Sequence, residues 1–78
     1  MAKVVLPELG EGIEKATVTY WYFQPGEKVS EKDDLVELAT DKATFNLPSP
    51  ASGTLAEILF KEGDAVNVGE VLGIIEES

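Results

Sequence analysis

The sequence predicts an all-β domain, a flattened barrel or sandwich with quasi-two-fold symmetry. Three observations lead there. Glycine and proline cut the 78 residues into short runs rich in Val, Thr, Ile and aromatics, the signature of strands between tight turns. The chain also repeats itself at a spacing of 37 residues. A unit of that length cannot bury one face of a few short strands alone, so two must pack together. Finally, a chain this small exposes ~4,600 Å² when folded and buries roughly 60% of its unfolded surface, enough for one thin core. One domain over residues 1–78 is expected, without a cleft between domains.

Taken in order, the runs are Lys3–Leu6, Ala16–Phe23, Leu35–Thr40, Ala43–Leu47, Thr54–Phe60 and Val71–Glu76. Breaks fall at Pro7-x-x-Gly10-x-Gly12, Pro25-Gly26, Pro48 to Gly53, Glu62-Gly63-Asp64, Gly69 and Gly73. Pro25-Gly26 suits the centre of a type II turn, because proline presets φ and glycine accepts a positive one. One stretch argues otherwise. Ser30-Glu31-Lys32-Asp33 has the form of a helix capping box, and Leu35, Leu38 and Ala39 follow at helical spacing. Local propensity alone favours a helix over Asp34–Ala43.

The repeat decides for a strand. Residues 16–40 align with 53–77 without a gap, matching Thr17 to Thr54, Phe23 to Phe60, Gly26 to Gly63, Val29 to Val66 and Leu35 to Leu72. Glu27 meets Asp64 and Asp33 meets Glu70. The disputed segment aligns with Val68-Gly69-Glu70-Val71-Leu72-Gly73-Ile74-Ile75, whose glycines and β-branched residues make a poor helix. Under the implied symmetry the chain midpoint and the chain ends occupy equivalent, opposite poles. The midpoint is Thr40-Asp41-Lys42-Ala43, so Val36–Leu47 reads as two strands around a tight turn. Lys42 sits on its apex, where position alone reads first as an ordinary solvated Asp-Lys turn and second as a site for modification by another enzyme, since acylation of a lysine amine removes its charge and installs a new group.

Composition excludes several function classes. Six lysines, no arginine and fifteen acids give a net charge of −9, which fits neither nucleic acid nor an anionic membrane surface. With no histidine and no cysteine, the commonest general base, the thiol nucleophile and most transition-metal ligands are missing. No catalytic constellation and no metal site can be assembled. No apolar run reaches the ~18 residues a membrane helix needs, and no signal-peptide core follows Met1. Tyr20, Trp21, Tyr22 and Phe23 read as core and sheet-face residues, and the acidic excess as a source of solubility or, second, as a field that steers docking to a basic patch on a partner.

Thr40-Asp41-Lys42-Ala43-Thr44, followed by Pro48-Ser49-Pro50-Ala51-Ser52-Gly53, resembles the attachment hairpin of lipoyl domains from 2-oxo acid dehydrogenase complexes. Leu6-Pro7-Glu8-Leu9-Gly10-Glu11-Gly12-Ile13, Pro25-Gly26-Glu27-Lys28-Val29, Glu62-Gly63-Asp64-Ala65-Val66 and Val68-Gly69-Glu70-Val71-Leu72 match the same family in the same order. The resemblance covers nearly the whole chain. Phe45-Asn46-Leu47 and the aromatic run at Tyr20–Phe23 depart from the usual pattern and bear only on subtype.

The resemblance implies a barrel-sandwich hybrid of two four-stranded antiparallel sheets. It implies lipoic acid in amide linkage on Lys42, with Asp41 and Ala43 read by the lipoylating ligase or, for Asp41, stabilising the turn through its side-chain oxygen. The loop Pro7–Lys15 follows a first strand that runs toward the Lys42 pole, and it, with Glu8, Leu9, Gly10, Glu11 and Gly12, would contribute to recognition by the decarboxylase as in the family, or else be an ordinary solvated glycine-rich loop. The implied function is a non-catalytic swinging arm. Its dithiolane takes an acyl group from a thiamin-diphosphate-dependent 2-oxo acid decarboxylase, delivers it to coenzyme A at an acyltransferase domain, and is reoxidised by dihydrolipoamide dehydrogenase. The chain is expected to be a monomeric domain excised from a dihydrolipoamide acyltransferase. That protein belongs in the cytoplasm of a prokaryote or the mitochondrial matrix of a eukaryote. Asp41-Lys42-Ala43-Thr44 leans toward pyruvate, with 2-oxoglutarate and branched-chain complexes as alternatives. A biotinyl carrier shares the fold but places methionines beside its lysine, where this chain has Asp41 and Ala43. An unmodified β-barrel interaction module is the remaining alternative.

Overall fold

The computed structural model describes residues 1–77; the expected domain end, Ser78, lies outside the described residues. The chain forms β1 (Ala2–Val5), β2 (Lys15–Trp21), β3 (Lys28–Val29), β4 (Asp34–Ala39), β5 (Thr44–Pro48), β6 (Gly53–Ile58), β7 (Ala65–Asn67) and β8 (Val71–Glu77). They pair into two antiparallel four-stranded sheets, ordered β1-β8-β6-β3 and β5-β4-β2-β7. The surface of 4752 Å² agrees with the value scaled from chain length.

The 37-residue repeat is written into the register. In β2/β4, Thr17 faces Ala39, Val18 faces Leu38, Tyr20 faces Glu37 and Trp21 faces Val36. In β6/β8 the pairs are Thr54 with Glu76, Leu55 with Ile75, Glu57 with Ile74 and Ile58 with Gly73. Each pair is the first set moved on by 37, and the bulge after Val18 recurs after Leu55. The bulge leaves Thr19 and Tyr20 both outward and returns Trp21 to the core, which simple alternation would not do.

Two strands escape detection in the sequence. β3 has two residues and β7 three, too few for a period of two to show. Both cross over: β3 leaves β2 to pair with β6 in the other sheet, and β7 leaves β6 to pair with β2. Each half thus completes the other's sheet, so neither repeat can close alone. The inner faces meet in one core that includes Val4, Leu6, Val18, Trp21, Leu35, Val36, Leu38, Leu55, Val66, Leu72 and Ile75. The Trp21 indole N–H donates to the Phe60 carbonyl at 2.8 Å, so burying the ring strands no donor.

The capping-box pattern is half real. The Ser30 amide donates to Asp33 Oδ2 at 3.1 Å, as in such a box, but Lys32 then takes φ 75°. A left-handed residue ends any helix at its first turn, and the chain enters β4. The same clamp recurs 37 residues on, where the Asn67 amide donates to Glu70 Oε1 and Gly69 stands in place of Lys32 with φ 93°. A second pair of clamps joins Gln24 to Glu27 and Lys61 to Asp64, beside Gly26 and Gly63. The aligned acids Glu27/Asp64 and Asp33/Glu70 are therefore turn-forming groups, beyond any part in solubility.

Candidate functional site

The β4–β5 hairpin closes with Ala39 opposite Thr44, and the Thr40 amide donates to the Ala43 carbonyl at 2.8 Å. Asp41 and Lys42 form the apex, and both are exposed. The Thr40 hydroxyl holds the turn. Its oxygen accepts from the Lys42 amide at 3.3 Å and the Ala43 amide at 3.2 Å, and it lies 3.1 Å from the Ala43 carbonyl, to which it donates. Of the two roles the sequence left open for Asp41, turn stabilisation falls instead to Thr40, a threonine preceding the turn whose oxygen reaches two amides that Asp41 does not engage. Thr40 is missed by the sequence reading although ST-type capping of a turn is a recognisable signal.

Lys42 is a suitable acceptor for an acyl group. Among the described residues the one ion pair within 4 Å joins the N-terminal amine to Glu77, at 3.7 Å, so no carboxylate holds the Lys42 amine against the surface. The amine extends from a backbone fixed by the hydrogen bonds of Thr40.

Beside the hairpin lies an open cleft of about 620 Å³. Asp41 and Lys42 line one side, Gly12, Ile13, Glu14 and Lys15 another, and Ala65 and Asn67 a third. The loop over residues 6–14 therefore does reach the pole that carries Lys42. Of its residues singled out in the sequence, only Gly12 lines the cleft; Glu8, Leu9, Gly10 and Glu11 do not, and Leu9 packs partly against the core. Ile13 to Lys15 take the adjoining place. The fold explains why this loop is distinctive. Register matches β1 to β5 (Val4 faces Gly73 as Leu47 faces Val36), yet the path from Val4 to Ala16 is six residues longer than the equivalent path from Leu47 to Gly53. The added length lies at the hairpin's pole.

Fold and apex together define a structural class: barrel-sandwich domains with a lysine-bearing hairpin at one pole. The chain belongs to the biotin/lipoyl attachment family, whose model, described as "biotin-requiring enzyme", matches residues 2–75. It is 47% identical over 74 residues to the dihydrolipoyllysine-residue succinyltransferase component of the 2-oxoglutarate dehydrogenase complex of Bartonella vinsonii subsp. berkhoffii, covering 95% of this chain and 18% of that protein. It is 41% identical over 70 residues to the dihydrolipoyllysine-residue acetyltransferase component of the pyruvate dehydrogenase complex of Acholeplasma laidlawii, covering 90% and 13%. Among solved structures, the lipoyl domain of the Azotobacter vinelandii 2-oxoglutarate dehydrogenase complex superimposes with a TM-score of 0.78 at 37% identity, covering 96% of this chain and 95% of that one. The chain thus spans less than a fifth of these curated relatives and nearly all of a lipoyl domain.

Proposed function

We propose that the chain is the lipoyl carrier domain of a dihydrolipoamide acyltransferase in a 2-oxo acid dehydrogenase complex, with lipoate joined to Nζ of Lys42. The observation that carries the reading is the apex position of Lys42: exposed, in no ion pair among the described residues, on a turn ordered by Thr40. The relatives' names, which specify dihydrolipoyllysine, support lipoate over biotin, as does the lack of flanking methionines.

Lipoate, once attached, supplies a reducible dithiolane able to carry an acyl group and a pair of electrons. The chain's own residues present it. The hairpin fixes the root of the arm, the exposed apex leaves its swing clear, and tethering raises the effective concentration at each partner. Asp41 and Ala43 flank the amine where a lipoylating ligase must approach. That Gly12–Lys15 line the cleft beside Asp41 and Lys42 supports a part for this loop in recognition by the decarboxylase. The partners on this reading are that thiamin-diphosphate-dependent decarboxylase, the acyltransferase domain, dihydrolipoamide dehydrogenase and the ligase.

For the complex, we propose pyruvate dehydrogenase, supported by the Asp41-Lys42-Ala43-Thr44 sequence; relatives from 2-oxoglutarate complexes make that the competing assignment. The test is reductive acylation. The lipoylated domain is offered to pyruvate- and 2-oxoglutarate-specific decarboxylases at equal concentration, and acylated mass is followed in time. Faster acetylation supports the pyruvate assignment and faster succinylation overturns it. No acylation by either, on a domain verified as lipoylated, overturns the carrier reading itself.

A further inference from the structure

The outer face of the β5-β4-β2-β7 sheet carries a group of side chains that neither the fold nor the lysine hairpin requires. Tyr20 and Tyr22 are 52% and 41% exposed, with ring centroids 5.1 Å apart and planes at 84°. The Tyr22 hydroxyl donates to Asn46 Oδ1 at 3.0 Å, and Asn46 Nδ2 donates to Asp34 Oδ2 at 3.2 Å. Next to them, the Thr19 hydroxyl lies 2.7 Å from Glu37 Oε2, and Glu37 faces Tyr20 across the sheet. Hydrogen bonds thus hold the Tyr22 ring and the two carboxylates in place, and Tyr20 packs edge-to-face against Tyr22.

The quasi-two-fold supplies an internal control. Positions 37 residues on, in the same register, hold Leu59 for Tyr22, Glu57 for Tyr20, Ala56 for Thr19, Val71 for Asp34 and Ile74 for Glu37, and Lys3 takes the place of Asn46. The second sheet folds with none of this network. The rings and their carboxylates are therefore not a demand of the architecture.

We infer that this face is a docking surface for a cationic side chain, an arginine on an extended segment of a partner protein. Charge complementarity specifies the occupant. Among the described residues no lysine stands within ion-pair distance of Asp34 or Glu37. A guanidinium laid on an exposed face of one tyrosine ring meets its negative quadrupole, and β4 alongside supplies Glu37, opposite Tyr20, and Asp34, linked to Tyr22 through Asn46, as acceptors for its N–H groups. Thr19 and Asn46 have already fixed those carboxylates, so less side-chain freedom is lost on binding. The inference is independent of whether Lys42 carries lipoate.

The probe is an acetylated, amidated Gly-Arg-Gly-Arg-Gly peptide, with the same peptide carrying citrulline for arginine as control. It is titrated into the ¹⁵N-labelled chain and followed by amide shifts. Saturable shifts are expected at Tyr20, Tyr22, Glu37 and Asn46 with arginine and not with citrulline. Tyr20→Leu with Tyr22→Leu keeps every charge and borrows the residue the second sheet uses at the Tyr22 position. Binding in that variant should weaken roughly five-fold, in line with losing the ring contribution at an exposed site. Unchanged binding in a variant whose spectrum remains folded overturns the inference. So do shifts spread over the acids of all surfaces. Shifts that depend on domain concentration without peptide assign the face to a second copy of the chain, which also overturns it.

Discussion

Removing the Thr40 hydroxyl isolates what the turn contributes. Thr40→Val keeps the β-branched shape and volume, so backbone preference and packing change little. It removes one acceptor shared by two amides, at 3.3 and 3.2 Å, and one donor to the Ala43 carbonyl. A net hydrogen bond contributes about 0.5–1.5 kcal/mol, but Thr40 is only half-buried and water replaces part of the loss, which leaves a cost of about 1 kcal/mol. For a domain of this size that lowers the melting temperature by ~4–8 °C. If the ordered turn is also what the ligase recognises, up to the same free energy is lost from kcat/KM for lipoylation, about a five-fold decrease. Thermal unfolding by circular dichroism gives the first number, and intact-mass kinetics with lipoate ligase below the melting range give the second. Thr40→Ser, which restores the oxygen, should recover both. Thr40→Val with unchanged melting and unchanged lipoylation would refute the role assigned to the hydroxyl.

Three further outcomes follow from the same geometry. Lys32→Gly relieves a left-handed non-glycine residue, and Gly69→Ala imposes one at the aligned position, where an added Cβ meets nothing within 4 Å. With ~1–2 kcal/mol of strain offset by glycine's extra freedom in the unfolded chain, unfolding free energies from denaturant titration should shift in opposite directions by about 0.5–1 kcal/mol; shifts of one sign would contradict the strain argument. Gly53→Ala should destabilise by about 3 kcal/mol or leave the chain unfolded in the same measurement, because its Cβ would run into the Glu76 carbonyl, which is backbone and cannot rotate away. Asp41→Met with Ala43→Met should raise biotin transfer by a biotin ligase and reduce lipoylation, measured by avidin blot and mass; equal biotinylation of the unaltered chain would contradict the assignment of these flanks.

Most of the architecture was legible because it is written twice. A weak match over residues 16–40 and 53–77 fell on turn glycines and core positions, and the register repeats with the same spacing and the same bulges. The repeat also corrected local propensity: Ser30–Asp33 does form part of a capping box, yet Lys32 turns the chain away from a helix. That conformation cannot be read from a lysine. β3 and β7 stayed hidden because strands of two and three residues have no periodicity, and their partners lie in the opposite half of the chain. At the site, Asp41, Lys42 and Ala43 were legible as an exposed apex. Thr40 was not, since its function depends on where two amides point. Nor was the division of the long loop, in which Gly12–Lys15 face the hairpin while Leu9 turns toward the core.

The central claim is that one amine of six, chosen by its place on a hairpin, receives the lipoyl group. Lys42→Arg keeps the charge at an exposed turn and should leave the NMR spectrum that of a folded domain. The direct measurement is intact mass of the wild-type chain and this variant after incubation with lipoate, ATP and lipoate ligase, with peptide mapping of any product. The account predicts complete addition of one lipoyl group to the wild type, mapped to Lys42, and none to the variant. Addition to the folded variant, or mapping to Lys3, Lys15, Lys28, Lys32 or Lys61, would contradict it.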